Sequence, residues 1–296
     1  MRVLIFGANG QDGYYLSNFC QEAQFEVNGV SRSGNWLKGD VQEFSSVLNF
    51  IQTFRPTHVF HFAAVSSTRH EASFPNHNAI STGTLNILEA VKRTGIKTKV
   101  FLAGSGVQFQ NTGKAISEHD PFSPSSPYAV ARIHSVYAAR YYRQLGIPVY
   151  VGYLFHHESP RRSFRHVSQK VVAAAKRIAK GSKEILHLGD MGVEKEWSFS
   201  GDIVQGMWRL ISQDKVFEAV IGSGKAYSIQ QWVETCFGRV GKDWRDYVKV
   251  DDRFTPEYAR LVSDPSTMRQ LGWQPSVEFS DLVDMMMTPL HEVQTI

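Results

Sequence analysis

The N-terminal stretch restricts the fold of this chain more than any other. A compact apolar run, Arg2 to Phe6, ends in Gly-Ala-Asn-Gly-Gln-Asp-Gly, and Tyr14 to Gln24 then carries helical rather than alternating periodicity. Strand, glycine loop and helix follow one another without a gap. Gly7, Gly10 and Gly13 stand at G-x-x-G-x-x-G spacing. Absent side chains there permit a tight turn, close backbone approach to a pyrophosphate and packing of helix on strand, with phosphates at the helix N-terminus. The loop therefore reads as a dinucleotide site, with Gln11 and Asp12 as further cofactor contacts within it.

Phe25 to Val30 reads as a second strand and is followed by Ser31-Arg32-Ser33. Dinucleotide folds commonly place an acidic residue here to hold a ribose 2′-hydroxyl, whereas an arginine pairs with a 2′-phosphate. Arg32 thus favours NADP over NAD. Asp40 precedes a helical stretch to about Phe54 and is placed either to meet an adenine amino group or to act as a simple N-cap. Thr57 to Ala63 is a buried-strand run ending in HFAAVSST, where the small Ala63 and Ala64 let a cofactor pass close to the strand end.

A helix pattern from about Asn76 to Thr94, a strand from Lys97 to Ala103 and another from Val149 to Leu154 continue the alternation. Strands recurring every ~25 to 35 residues with helices between them predict right-handed βαβ units and a Rossmann-type, doubly wound parallel sheet of the α/β class. Beyond that the alternation breaks down, which predicts a smaller, mixed α/β C-terminal region. Residues 1–165 are expected to carry the dinucleotide site and residues 166–296 mainly the substrate site, across an interleaved boundary.

Composition narrows the partners. The net charge of +4 is spread along the chain apart from Arg161, Arg162 and Arg165, which suits an anionic small molecule and not a nucleic acid. Cys20 and Cys236 lie far apart with no metal-ligand spacing, so neither a disulfide framework nor a metal site is expected, and a reducing cytoplasm is the expected compartment. The opening MRVLIFG is too soon interrupted by glycine for a signal sequence, and no apolar run approaches the ~20 residues of a membrane span.

The chemistry is written in Asp120 to His134, DPFSPSSPYAVARIH. Three prolines hold the entry extended, Ser125 or Ser126 is placed to cap the helix, and Tyr128 and Arg132 share a face one turn apart. A phenol of ordinary pKa ~10 is a poor base at neutral pH, but a cation beside it favours the phenolate. Ser105 follows the Lys97 to Ala103 strand directly, where its hydroxyl serves a substrate oxygen or merely a turn.

Taken together, GANGQDGYYL, PFSPSSPYAVAR, LFHHESPRR and SDPSTMRQLGWQP resemble the extended short-chain dehydrogenase/reductases and, within them, the GDP-mannose 4,6-dehydratases, over almost the whole chain. The resemblance implies NADP on Gly7, Gly10, Gly13, Arg32 and Asp40, Tyr128 as catalytic base, and a nucleotide diphosphate-sugar, GDP-linked, contacted by His156, Glu158, Arg162, Lys195, Arg253 and Glu257. Arg132 stands where the family has the lysine that holds the nicotinamide ribose, and it keeps the charge in a planar fork. Val107 stands where the family has the glutamate that removes the C5 proton, and valine cannot move a proton. His156 replaces an expected asparagine and Lys195 an arginine. The short loop from Arg32 to Gly39 implies a homodimer, because the family's longer loop helps build a tetramer.

Three functions compete on these grounds. The leading expectation is an NADP-dependent nucleotide-sugar oxidoreductase acting at C4, such as a 4-keto-sugar reductase, with Ser105, Tyr128 and Arg132 as its catalytic set. The alternatives are a 4,6-dehydratase in which Glu118 or His134 replaces the missing glutamate, and a catalytically weak binding protein that regulates a related enzyme.

Overall fold

A computed structural model describes residues 1–251, 253 and 256–288. Six strands, β1 (Arg2–Phe6), β2 (Glu26–Ser31), β3 (Leu37–Lys38), β4 (His58–His61), β5 (Lys99–Ser105) and β6 (Val149–Leu154), join Glu218–Ile221 in one seven-stranded sheet. The order is Glu218–Ile221, β6, β5, β4, β1, β2, β3, and every pairing is parallel. β1 shows why the sheet is covered on both sides. Its residues alternate, so Val3 and Ile5 pack with Leu16, Ile203 and Met207, while Leu4 and Phe6 pack on the other face with Ile51, Ile87 and Val136. Helices Gln11–Glu22 and Ser200–Ile211 build the first layer, and Phe44–Phe54, Gly83–Thr94 and Pro127–Gln144 build the second. β1 has β2 on one side and β4 on the other, which opens a crevice at the carboxyl ends of these strands.

The expected doubly wound sheet is therefore present, but it draws on more of the chain than residues 1–165. Strand Glu218–Ile221 and helix Ser200–Ile211 return from beyond residue 165 to complete it. Glu218 anchors that return, accepting hydrogen bonds from Arg140 (2.7 Å), Tyr153 (2.7 Å) and Arg143. A separate core lies under helices Val167–Ala179, Ile229–Gly238 and Phe279–Met287, around Trp197 and Trp232 stacked 4.4 Å apart. Here the sequence reading is incomplete. It contained no strands at His157–Glu158, Glu194–Glu196, Ser198–Phe199, Ala226–Ser228, Val248–Val250 or Arg260–Leu261. Pieces of two or three residues with mixed polarity carry no period-two signal, so only their partners define them.

The helix expected from about Asn76 starts at Ser73, and His77–Thr82 is wound as a π-helix. That segment packs on the turn behind Tyr128, with Ser81 bonded to the Ala131 carbonyl and the Ile80 carbonyl taking the Ser135 hydroxyl. Among the described residues no helix is long and apolar enough to cross a membrane.

The helix Pro127–Gln144 is set by Ser126, whose hydroxyl accepts from the Ala129 amide at 3.1 Å, with Pro127 at its first position. Ser126→Ala should lower unfolding free energy by about 1 kcal/mol. A denaturant midpoint unchanged from the wild type would show that the prolines alone start this helix.

Candidate active site

The crevice begins where two backbones touch. Gly7 has a φ of 90°, and a Cβ there would lie 2.6 Å from the Ala63 nitrogen, so β1 and β4 approach at a distance no side chain tolerates. A Cβ on Gly13 would meet the Ala8 Cα at 2.6 Å, which fixes helix Gln11–Glu22 close to its strand. Gly10 caps that helix without a side-chain hydrogen bond, leaving the amides of its first turn for an anion. A cavity of about 250 Å³ extends from here, walled by Gly7, Asn9, Arg32, Asp40, Ala63 and Ala64 among others. Arg32 is exposed on this wall, beside Ser33, whose hydroxyl accepts from Asn9 at 3.0 Å. A glycine cradle, an uncapped helix and an exposed guanidinium suit the phosphates and adenosine of a dinucleotide.

Two expected contacts point elsewhere. The Gln11 side chain accepts from the Ser159 hydroxyl at 2.7 Å, and Asp12 lies 2.9 Å from the Nε2 of His157. Their side chains thus join the glycine-loop helix to the segment after β6 and do not line the cavity. Asp40 does line it, and it does not cap the following helix, whose N-cap is Glu43; its carboxylate accepts from the Gln42 amide at 3.0 Å in a local turn.

At the end of β5 stands Ser105, half-buried, with Val107 packed against the core one turn further. Helix Pro127–Gln144 brings Tyr128 to the same end of the sheet, since it packs along β5. Arg132 is 5% exposed, donates to the Ala103 carbonyl and places its guanidinium carbon 5.1 Å from the centre of the Tyr128 ring. It is an inward anchor, whereas the sequence reading expected a side chain reaching out to a ribose. The two residues offered above as a replacement acid/base have other neighbours. Glu118 accepts from the Val220 amide at 3.3 Å and from Thr267, and His134 sits against His77 with its ring centres 6.3 Å apart.

The segment after β6 sorts charge by strand alternation. His156 and Glu158 project to one side and His157 to the other. His157 faces two acceptors, the Phe155 carbonyl at 2.7 Å and the Asp12 carboxylate at 2.9 Å, so both ring nitrogens carry protons. Burial opposes both charges, yet the pair holds Asp12 below and His157 above its ordinary value. Sequence reasoning missed His157, although two adjacent histidines in a strand must face opposite ways.

On the other side Glu158 is fully buried, 2.7 Å from His156 and 3.5 Å from Arg162. Burial resists its charge, but His156, Arg162 and Lys195 overcome this and hold its pKa at about 2. Burial, with Lys195 nearby, drives His156 down to about 3, so it is neutral. Lys195 is 7% exposed, sits 4.7 Å from the Trp197 ring centre, and is pushed by burial down to about 8. One carboxylate against two cations leaves a buried surplus of positive charge. Arg253 and Glu257 do not join this group. Arg253 is exposed and paired with Asp251 at 2.9 Å, and Glu257 accepts from Thr68. Among the described residues no cluster of three metal-ligating side chains occurs.

Comparison with known proteins places this architecture. The family model for GDP-mannose 4,6 dehydratase matches residues 4–286. GDP-mannose 4,6 dehydratase 1 of Arabidopsis thaliana is 34% identical, covering 96% of this chain and 88% of that one. The Drosophila melanogaster GDP-mannose 4,6 dehydratase is 30% identical, over 96% and 85%. Among solved structures, UDP-glucose 4-epimerase of Thermus thermophilus with NAD has a TM-score of 0.83 at 23% identity, over 97% and 98%. RMD from Pseudomonas aeruginosa with NADPH has a TM-score of 0.85 at 20% identity, over 97% of each. The glycine cradle, the Tyr128 helix and the family match across nearly the whole chain together establish that it belongs to the GDP-mannose 4,6-dehydratase family, nucleotide-sugar-modifying enzymes of the extended short-chain dehydrogenase/reductase type.

Proposed function

We propose that this enzyme is an NADP-dependent reductase of a GDP-linked 4-keto-sugar. The observation that carries the reading is the β5 end, where Ser105 closes the strand and Arg132 lies 5.1 Å from the Tyr128 ring centre; Val107 is the residue that the resemblance sets against the family's proton-abstracting glutamate. Reduction at C4 needs one proton on O4, whereas dehydration also needs a base for a carbon-bound proton. Glu118 is held by the Val220 amide and Thr267, which counts against its serving as the base of a substituted dehydratase.

The chain's own residues divide the work. Tyr128 gives its phenolic proton to O4 as the carbonyl becomes a hydroxyl, and Ser105 orients that oxygen. The buried Arg132 guanidinium packs against the Tyr128 ring and holds it at the strand end. The reduced nicotinamide, when bound, supplies the hydride. Gly7, Gly10 and the uncapped helix hold its pyrophosphate, and Arg32 takes the 2′-phosphate. Fold neighbours carry NAD in some cases and NADPH in others, so support for NADP comes from Arg32 itself. Lys195 and Arg162 receive the substrate's diphosphate, because their charge exceeds that of Glu158 in a buried place.

Three expectations test this reading. Arg32→Asp should reverse a preference for NADPH over NADH measured by fluorescence titration; equal wild-type affinities would remove Arg32 from the 2′-phosphate.

Given GDP-mannose without added NADPH, the wild type should form little or no 4-keto-6-deoxy product, since losing a general base typically costs ~10² to 10⁴ in rate. Given GDP-4-keto-6-deoxymannose and NADPH it should oxidise the cofactor, and Tyr128→Phe should abolish this. Dehydration at ordinary enzymatic rates sinks the reductase reading, and silence in both assays favours a binding protein.

Lys195 generates a pH effect. Its folded pKa, about 8, lies below the ordinary lysine value of 10.5, so between them the unfolded chain binds more protons and stability rises with pH across that window. Diphosphate binding runs the opposite way, because it needs the ammonium. Affinity for GDP by calorimetry should fall about tenfold as pH passes from 7 to 9.5, and Lys195→Met should flatten that slope. An unaltered slope in the variant would place the diphosphate elsewhere.

A further inference from the structure

From the packing under Ser105 we infer that Gln108 is a positioning residue of this enzyme, holding the catalytic serine through its backbone. The inference rests on Ser105 acting on the substrate oxygen as described above, and it concerns a residue with no part in the motifs that mark the site. Gln108 is fully buried. Its Oε1 accepts the Ser105 amide at 2.8 Å, and its own carbonyl accepts the Ser123 amide at 2.8 Å. The first bond reaches back across the turn at the end of β5, and the second ties that turn to the strand-like lead-in of the Tyr128 helix. One residue therefore connects the two segments that carry Ser105 and Tyr128.

The glycines on either side of Ser105 show that this arrangement is built. A Cβ on Gly104 would lie 2.7 Å from the Tyr153 ring and 3.2 Å from the Gln108 Oε1, and a Cβ on Gly106 would lie 2.9 Å from the Phe155 ring. The bare Gly104 leaves room for the Gln108 amide, and the bare Gly106 lets the turn after Ser105 pack on the Phe155 ring. The identity of the accepting atom is settled by chemistry, since an amide N–H requires an acceptor and only the carbonyl end of the glutamine is one. The Nε2 at the other end is buried and finds no hydrogen-bond partner among the described residues. An apolar side chain of this size would pack there without an unpaired donor, so Gln108 is disfavoured by packing and favoured by what Oε1 does. What Oε1 does is hold Ser105 in the extended conformation, φ −153° and ψ 144°, at the strand end.

Gln108→Met keeps size and removes the acceptor; Gln108→Glu keeps the acceptor. The expected result for Gln108→Met, with GDP-4-keto-6-deoxymannose and NADPH, is a fall in kcat of roughly 10- to 100-fold, with KM and NADPH affinity within about twofold of wild type. Gln108→Glu should recover part of the loss. In a Ser105→Ala background Gln108→Met should cost nothing more, because the residue it positions is gone. Amide hydrogen exchange at Ser105 gives a readout that needs no turnover, and it should accelerate in Gln108→Met. Losses that multiply in the double variant, or exchange at Ser105 equal to wild type, would overturn the inference. A wild type with no reductase activity would overturn the reading beneath it, and the exchange measurement would still show whether Gln108 holds the serine amide.

Discussion

Everything at the working end of this protein depends on how closely two backbones can lie at the carboxyl ends of β1 and β4. A side chain at residue 7 would collide with the Ala63 amide, and one at residue 13 with the Ala8 backbone. With hydrogens in those places the loop closes, Gly10 starts the helix behind it without a side-chain cap, and a cleft with free amides is left at the switch in strand order. The two hydrophobic layers are ordinary in kind, and their contribution to the site is rigidity.

The second organising feature is the alternation of four residues after β6. His157, steadied by the Phe155 carbonyl, binds the glycine-loop helix through Asp12, while His156 and Glu158 turn to Arg162 and Lys195. A single extended segment thus ties the dinucleotide half to the region around Trp197 and separates two buried charge clusters by the thickness of a backbone. The cluster holding Asp12 and His157 is internally balanced. The one holding Lys195 is not, and a buried surplus cation is the usual mark of an anion's place.

Legibility in the sequence followed the range of the physics. Runs such as VLIF and the helix from Pro127 declare themselves because periodicity, caps and prolines act over a few residues, and Val149–Leu154 was recovered to the residue. The short strands around Lys195 exist only because Tyr227 and Leu261 lie beside it, and no local signal announces such partners. The same division runs through the site. Gly7, Arg32, Ser105 and Tyr128 are visible from position relative to a strand end. Asn9, Gln108 and His157 are not, since each matters through a contact with a residue that only the folded chain brings near.

By itself, then, the sequence determined the class of fold and the place of the crevice, because alternating strands and helices and glycine spacing are one-dimensional signs of βαβ packing, and its motifs carried the resemblance to the family. It also determined that Val107 cannot carry a proton. Only the tertiary structure decided that Gln11 and Asp12 serve the segment after β6, that Arg132 turns inward to the Ala103 carbonyl, and that Arg253 and Glu257 stand apart from Lys195. The reason is that a side chain's partner is chosen by distance in space and by the cost of leaving a buried charge or donor unmatched, and neither quantity exists along the chain alone.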